Sequence, residues 1–164
     1  MILVKTIKPA RLKDGVFRLE MLNALRKAGT QVKGDFEKTT ATWSKKPEFE
    51  MLISLTGPGP VLLVGTDDEI YGYVSKGTRP HPIRPRRAKR LRFQSGYKAK
   101  TQPGVIGSTM GGSFGPTVFS LGVMHPGTAA RKFEETIRKK REKWFKRQME
   151  AAMSRAAAKS GNGL

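Results

Sequence analysis

Pro80, Pro82 and Pro85 fall close together in the middle of the chain. Each fixes its own φ and pushes the preceding residue toward extended geometry, so no helix can run over residues 78–85. The surrounding stretch, YGYVSKGTRPHPIRPRRAKRLRF at residues 71–93, carries Arg79, Arg84, Arg86, Arg87, Lys89, Arg90 and Arg92 and no carboxylate after Glu69. The chain must therefore accommodate a stiff, open, cationic segment. It then enters the alternating run Arg90-Leu91-Arg92-Phe93, which predicts a strand with Leu91 and Phe93 on one face. The seven cations are candidate contacts for a polyanion or an acidic partner. The plainer alternative is a solvated face.

The missing carboxylates extend well beyond this stretch. No Asp or Glu occurs between Glu69 and Glu134. Over the whole chain 32 Lys and Arg face 13 Asp and Glu, a net charge of +19 with a sequence pI near 10.7. A field of that size favours nucleic acid, an anionic membrane surface or an acidic protein. There is no cysteine, which leaves no disulfide framework or thiolate metal site and suits a reducing compartment. No apolar run reaches the roughly 20 residues of a membrane span. Met1-Ile2-Leu3-Val4 is too short for a signal-peptide core. A soluble chain made in the cytosol is the expectation, and 164 residues suit one domain.

Residues 2–7 are short and β-prone. From about 13 to 41 a helix is predicted, because Leu22, Leu25, Gly29, Val32, Phe36, Thr39 and Trp43 recur at three- and four-residue steps. Arg26, Lys27, Lys33, Asp35, Glu37 and Lys38 fall elsewhere on it. Gly29 and Gly34 weaken it and suggest a kink or the close approach of another backbone. Phe49, Met51, Ile53 and Leu55 then alternate as a half-buried strand. Gly57-Pro58-Gly59-Pro60 reads as a turn into the apolar strand Val61-Leu62-Leu63-Val64, giving an antiparallel hairpin. Thr66 is the expected cap of a short helix with Asp67, Asp68 and Glu69 in its first turn and Ile70, Tyr73 and Val74 along one side; Gly77 ends it.

Eleven glycines and prolines crowd between Gly96 and Gly127. Residues 96–117 are expected as a flexible loop or an extended hairpin arm that orders on a partner. A strand returns over 118–123. His125-Pro126-Gly127-Thr128 reads as a hinge, with Thr128 capping a helix from 129 to about 158. Phe133, Ile137, Trp144, Phe145, Met149 and Ala152 form its apolar stripe, suited to core or to subunit contact. Arg138, Lys139, Lys140, Arg141, Lys143, Lys146 and Arg147 make its other faces basic, either solvated or turned to an anion. A basic amphipathic helix can also lie on a membrane, but the first half of this one has the pattern of a packed helix, and no membrane partner is expected. Residues 1–159 form a single domain in this reading, and 160–164 a disordered tail.

Catalytic patterns are missing. His81 and His125 are the only histidines, each followed by proline, and two ligands make a poor zinc site. Asp67-Asp68-Glu69 lacks the alternating ligands and loop glycine of a calcium site. The glycines at 107–115 lack the Gly-Lys-Ser/Thr of a phosphate-binding loop, and Ser113 lacks a Gly-x-Ser-x-Gly elbow. No metal, no cofactor and no enzymatic activity are expected.

Two landmarks in order carry a resemblance. The first is Tyr73-Val74-Ser75-Lys76-Gly77-Thr78-Arg79-Pro80-His81-Pro82-Ile83-Arg84-Pro85 with Lys89-Arg90-Leu91-Arg92-Phe93. The second is Val123-Met124-His125-Pro126-Gly127-Thr128 with Phe133 in a long final helix. Over residues 49–149 the chain resembles the neck and tail-completion proteins of long-tailed phages. The resemblance implies an α+β subunit: a small antiparallel sheet packed by a long N-terminal helix and a long C-terminal helix, with the Gly-rich loop or arm extended. It implies a ring, commonly sixfold, at the head–tail junction or the top of the tail tube. Partners would be copies of the chain, other neck, portal-side and tail-tube proteins, and packaged DNA touched without sequence preference. The location would be the virion, and the host cytoplasm during assembly. Arg79, Arg84, Arg86, Arg87, Lys89, Arg90 and Arg92 would then meet phosphate or a partner, and Phe133, Ile137, Trp144 and Phe145 a neighbouring subunit. The strand-like start, the more basic linker and the Gly-rich arm depart from the family pattern and leave the station open: head completion, tail completion or tail terminator. The alternative is a free-standing basic protein that binds nucleic acid without sequence preference. Bases stack on aromatics interleaved with cations, and none lies between Thr78 and Lys89.

Overall fold

A computed structural model of the chain describes residues 10–56 and 59–162. The expected strand at 2–7 and the first half of the Gly57–Pro60 turn lie outside the described residues. The elements in order are α1 (Asp14–Thr39), β1 (Glu50–Ser54), β2 (Val61–Gly65), α2 (Glu69–Lys76), β3 (His81–Ile83), β4 (Leu91–Lys98), β5 (Gly112–Ser120), β6 (Val123–His125) and α3 (Phe133–Ala157). The class is α+β. The long helices α1 and α3 pack together, accompanied by three two-stranded antiparallel sheets, β1–β2, β3–β6 and β4–β5, rather than one continuous sheet.

Helix α1 buries a wider stripe than its apolar spacing indicates. Leu25, Gly29, Phe36 and Thr39 are buried as expected, and so are Glu20, Met21, Ala24, Ala28 and Asp35. The reason is that α1 has two neighbours. Helix α3 covers one side, with Ala152 against Met21 and Ala24. The β1–β2 hairpin covers the other, where a Cβ on Gly29 would run into Met51 Sδ and Leu62. Gly29 therefore marks a close approach, by side chains of the hairpin rather than by the backbone that the sequence suggested.

The core joins four segments. Phe36, Phe49, Tyr71, Phe133 and Ile137 form one buried cluster, with Val32, Trp43, Val64, Val74 and Ile106 packed around it. Tyr71 sits at its centre, 5.2 Å from Phe49, edge-on, and 5.5 Å from Phe133, stacked. Its hydroxyl is buried with no hydrogen-bond partner among the described residues. That burial, with the Glu134 charge second, pushes the phenol pKa well up.

Two elements start later than their sequence signals. Asp68, not Thr66, caps α2, its Oδ1 accepting from Tyr71 N at 2.8 Å. Tyr71 and Ser75 face the core with Val74 packed beside them, while Ile70 and Tyr73 stay exposed. Helix α3 begins at Phe133 rather than 129, because Thr128 is used in an antiparallel bridge to Thr78. The N–H groups of Arg131 and Lys132 then bond the carbonyls of Val74 and Ser75. Ser75 Oγ stands in for the missing cap: it accepts Phe133 N–H at 3.2 Å and donates to Glu134 Oε2.

The C-terminal end also differs from the expected disordered tail. A wider π-type turn, Ala158–Asn162, continues from α3. Ser160 Oγ accepts from Lys13 N at 3.0 Å, and Asn162 bonds both backbone groups of Ala10. This turn supplies part of the cap that Lys13 cannot give to α1. Residues 163–164 lie outside the described residues.

Candidate polyanion and assembly surface

From Thr78 to Thr128 the chain is one nested antiparallel ribbon. Its pairs run Thr78↔Thr128, His81↔His125 to Ile83↔Val123, and Leu91↔Ser120 to Lys98↔Gly112. The Gly-rich stretch expected as a loop or arm thus contains most of a hairpin, with residues 99–111 as its loop. A shift at Ser95 bends it: Gln94 pairs Thr117, but Gly96 pairs Phe114, leaving Gly115 and Pro116 opposite Ser95. Proline tolerates such a bulge because no ladder N–H is needed there.

Both ends of this ribbon touch the body. At the first end Thr78 and Thr128 exchange backbone hydrogen bonds of 2.9 and 3.1 Å. Gly127 has φ +88, and a Cβ there would strike Thr78 O. At the second end the loop comes back: Ile106 joins the core cluster, Thr101 is buried, and its Oγ1 accepts from Arg131 Nε at 3.3 Å. The ribbon must therefore reverse in between, where pairing stops after Ile83↔Val123 and restarts at Leu91↔Ser120. On one strand residues 84–90 span that gap; on the other only Leu121 and Gly122 do. The fold-over lies roughly 20 Å from the docked loop, at about 3.3 Å per strand residue.

That fold-over is the proline-rich basic stretch. Arg84, Arg86, Arg87, Lys89 and Arg90 are all exposed on it, with Arg92 at the start of β4 and Arg79 just before β3. None of the seven has a carboxylate within 4.0 Å among the described residues; every ion pair there lies on α1, α3 or the residues flanking α3. Six of them lie in or directly beside the fold-over, and Arg79 lies next to the Thr78–Thr128 bridge. It also exposes apolar side chains: Phe119 is 59 % exposed and Leu121 72 %, with Phe93, Tyr97, Phe114 and Met124 also open. Arg92 is the cross-strand partner of Phe119, so cation and ring share a face.

The residues expected as subunit contacts divide. Phe133 and Ile137 are 0 % and 2 % exposed and are taken up by the chain's own core, because α3 starts directly beneath Tyr71. They have no surface left for a neighbour. Trp144 and Phe145 are half-buried, and the Arg141 guanidinium lies 5.5 Å from the Trp144 ring centre. The exposed ring residues of the ribbon were missed as contact candidates, since an alternating strand conceals which face is covered.

Part of the basic character of α3 is also internal. Asp35, fully buried on α1, accepts from Arg141 Nε at 2.5 Å and Lys140 Nζ at 3.5 Å. At the other end Glu20 accepts from Arg155 Nε at 2.8 Å and Lys159 Nζ at 2.5 Å. Lys159 and then Arg155 hold the Glu20 carboxyl below its usual range. Arg138, Lys143 and Arg147 keep no ion pair among the described residues.

The two histidines meet as cross-strand partners with ring centres 5.1 Å apart. His125 Nδ1 accepts Gly127 N–H at 3.0 Å, and His81 Nδ1 lies 2.8 Å from the Arg79 carbonyl. Each ring is thus tied to a local turn. Among the described residues no three His, Asp or Glu side chains gather as a metal site, and no helix is long and apolar enough to cross a membrane. Comparisons with protein-family models, curated proteins and solved structures gave no match.

Proposed function

We propose that the chain is a structural subunit of the phage head–tail connector, a neck, tail-completion or tail-terminator ring protein that joins tail to DNA-filled head without catalysing a reaction. The supporting observation is the ribbon. It gathers six cations with no carboxylate partner at one fold-over and exposes ring side chains along its length. A lone folded chain gains nothing from such a surface, since self-repulsion is unfavourable and apolar patches invite association. A ring around DNA uses both. The apolar faces of the ribbon meet neighbouring copies, and the cations meet phosphate through counterion release, without reading sequence.

The resemblance at residues 73–93 and 123–133 points to the head–tail connector and leaves the station within it open; the two landmarks also lie side by side in the fold. Thr78 and His125-Pro126-Gly127-Thr128, far apart in sequence, form the joint from which the ribbon leaves the body. Changing Arg84, Arg86 and Arg87 together to Glu should leave the subunit folded and block DNA retention or virion assembly. Full infectivity with the triple variant would refute the reading.

A second reading has one observation in its favour. Phe119, exposed beside Arg92, offers a base a stacking surface next to a cation. A free-standing nucleic-acid-binding protein would bind tightly as a monomer, with a salt slope of several phosphates. The connector subunit would instead assemble with itself or with a neck partner.

A further inference from the structure

A cavity of about 440 Å³ opens between the docked end of the ribbon and the body, lined by residues that include Trp43, Lys45, Tyr97, Lys100, Thr101 and Arg131. Three of its lining residues are cations and none is a carboxylate. Arg131 is 8 % exposed and has no ion pair among the described residues. Its Nε donates to Thr101 Oγ1 at 3.3 Å and Nη1 to the Ala129 carbonyl at 3.0 Å. A guanidinium carries five N–H donors; those on Nη2 and the second on Nη1 have no protein acceptor among the described residues, and Nη2 is open to the cavity rather than sealed in the core. A buried charge is costly unless paired and hydrogen-bonded.

We propose that this cavity binds a phosphate-type oxyanion, held by Arg131, Lys45 and Lys100 with help from the hydroxyls of Thr42, Ser44, Ser113 and Thr128 around the wall. The proposal is independent of the ring reading. Phosphate is preferred to carboxylate on geometry. A single carboxylate would satisfy the free edge of Arg131, where Nη2 and the second N–H of Nη1 remain, but would leave Lys45 and Lys100 unpaired. A tetrahedral group has an oxygen for the guanidinium edge and one for each flexible ammonium. Because Arg131 also anchors the ribbon loop through Thr101 and through Gly104 N–H, an anion on it would tighten the docked loop.

The chain has two tryptophans, so a Trp144→Phe background leaves Trp43 on the cavity wall as the only reporter. Titrating the full chain with inorganic phosphate at constant ionic strength should give a saturable fluorescence change. The double variant Lys45→Gln, Lys100→Gln should weaken it about tenfold or more. Arg84→Gln, Arg86→Gln, Arg87→Gln, remote from the cavity, should leave it within about twofold. A second arm uses a short single-stranded oligonucleotide. If its binding also needs Lys45 and Lys100, the phosphate comes from a nucleic-acid backbone. If it needs only the fold-over arginines while inorganic phosphate still needs the lysines, the ligand is a free anion. No saturable change with either probe, or one indifferent to both lysines, overturns the proposal. The arginine anchor itself is left intact in these variants, so loss of binding is not confused with loss of fold.

Discussion

Asp35 and Arg141, 106 residues apart, meet inside the helix pair: the fully buried carboxylate accepts the guanidinium Nε at 2.5 Å. Glu20 and Arg155 repeat the arrangement toward the other end of the same pair. Low numbers on α1 meet high numbers on α3, so the two ion pairs fix the antiparallel register of the helices. Removing one partner of such a pair leaves a buried charge. Asp35→Ala should cost roughly 3 kcal/mol or more in urea unfolding. Arg141→Ala should cost nearly as much, and the double variant clearly less than the sum. Additive losses would mean that the pair is not coupled.

The same carboxylates set an acid limit. Burial alone raises the Asp35 pKa, but the Arg141 hydrogen bond and charge, with Lys140, outweigh it and the net direction is down from the ordinary 3.8. Glu20 is likewise held below its ordinary 4.5 by Lys159 and Arg155. A depressed carboxylate stabilises the fold fully above its ordinary pKa and loses that contribution as pH falls through the folded value. The melting temperature should therefore stay nearly level from pH 8 to 5 and fall below about pH 4. An Asp35→Asn, Glu20→Gln variant should start lower and fall less steeply across that window. Parallel curves would contradict this assignment.

Tyr71 makes the opposite prediction about a polar group. Its hydroxyl is buried with no hydrogen-bond partner among the described residues, the Thr39 hydroxyl beside it being given to the Phe36 carbonyl, so Tyr71→Phe should be neutral or mildly stabilising by thermal melt. Tyr71→Ala should cost about 3–5 kcal/mol, because the ring stacks on Phe133 and meets Phe49 edge-on. A clear loss in the Phe variant would reveal an acceptor for the hydroxyl.

Most of the fold was legible because its signals are local. The period of α1, the alternation of β1 and the glycines near the ribbon all lie within a few residues of what they specify. Asp35 was not legible: on a helix wheel it counts as a polar position, and its partner lies on a helix at the far end of the sequence. The α2 face was partly legible: Val74 packs against the core as expected, but the buried positions are Tyr71 and Ser75 rather than Ile70 and Tyr73, because Tyr71 stacks on Phe133 and Ser75 bonds the start of α3, both distant in sequence. The late start of α3 depends on Thr78, which claims Thr128 for a bridge. For the site, the cations were legible from composition. Their place at the fold-over was not, because it arises from residues 84–90 facing only Leu121 and Gly122, an offset that no single stretch records.

The joint between ribbon and body rests on Gly127. Its φ of +88 costs a residue with a Cβ about 1–2 kcal/mol, and the Cβ would also strike Thr78 O. Gly127→Ala should loosen the Thr78–Thr128 bridge. Hydrogen exchange at the amides of Thr78 and Thr128 should speed up by about tenfold or more, while amides in the middle of α1 change little. Equal acceleration everywhere would mean global destabilisation rather than a local joint.

A cryo-EM map of the virion neck tests the connector assignment most directly. It should contain a ring of this chain, with Phe119 and Leu121 of each ribbon against a neighbouring copy and Arg84, Arg86 and Arg87 turned toward DNA in the channel. A neck without the chain, or a ring whose fold-over arginines point outward into solvent, would contradict the account.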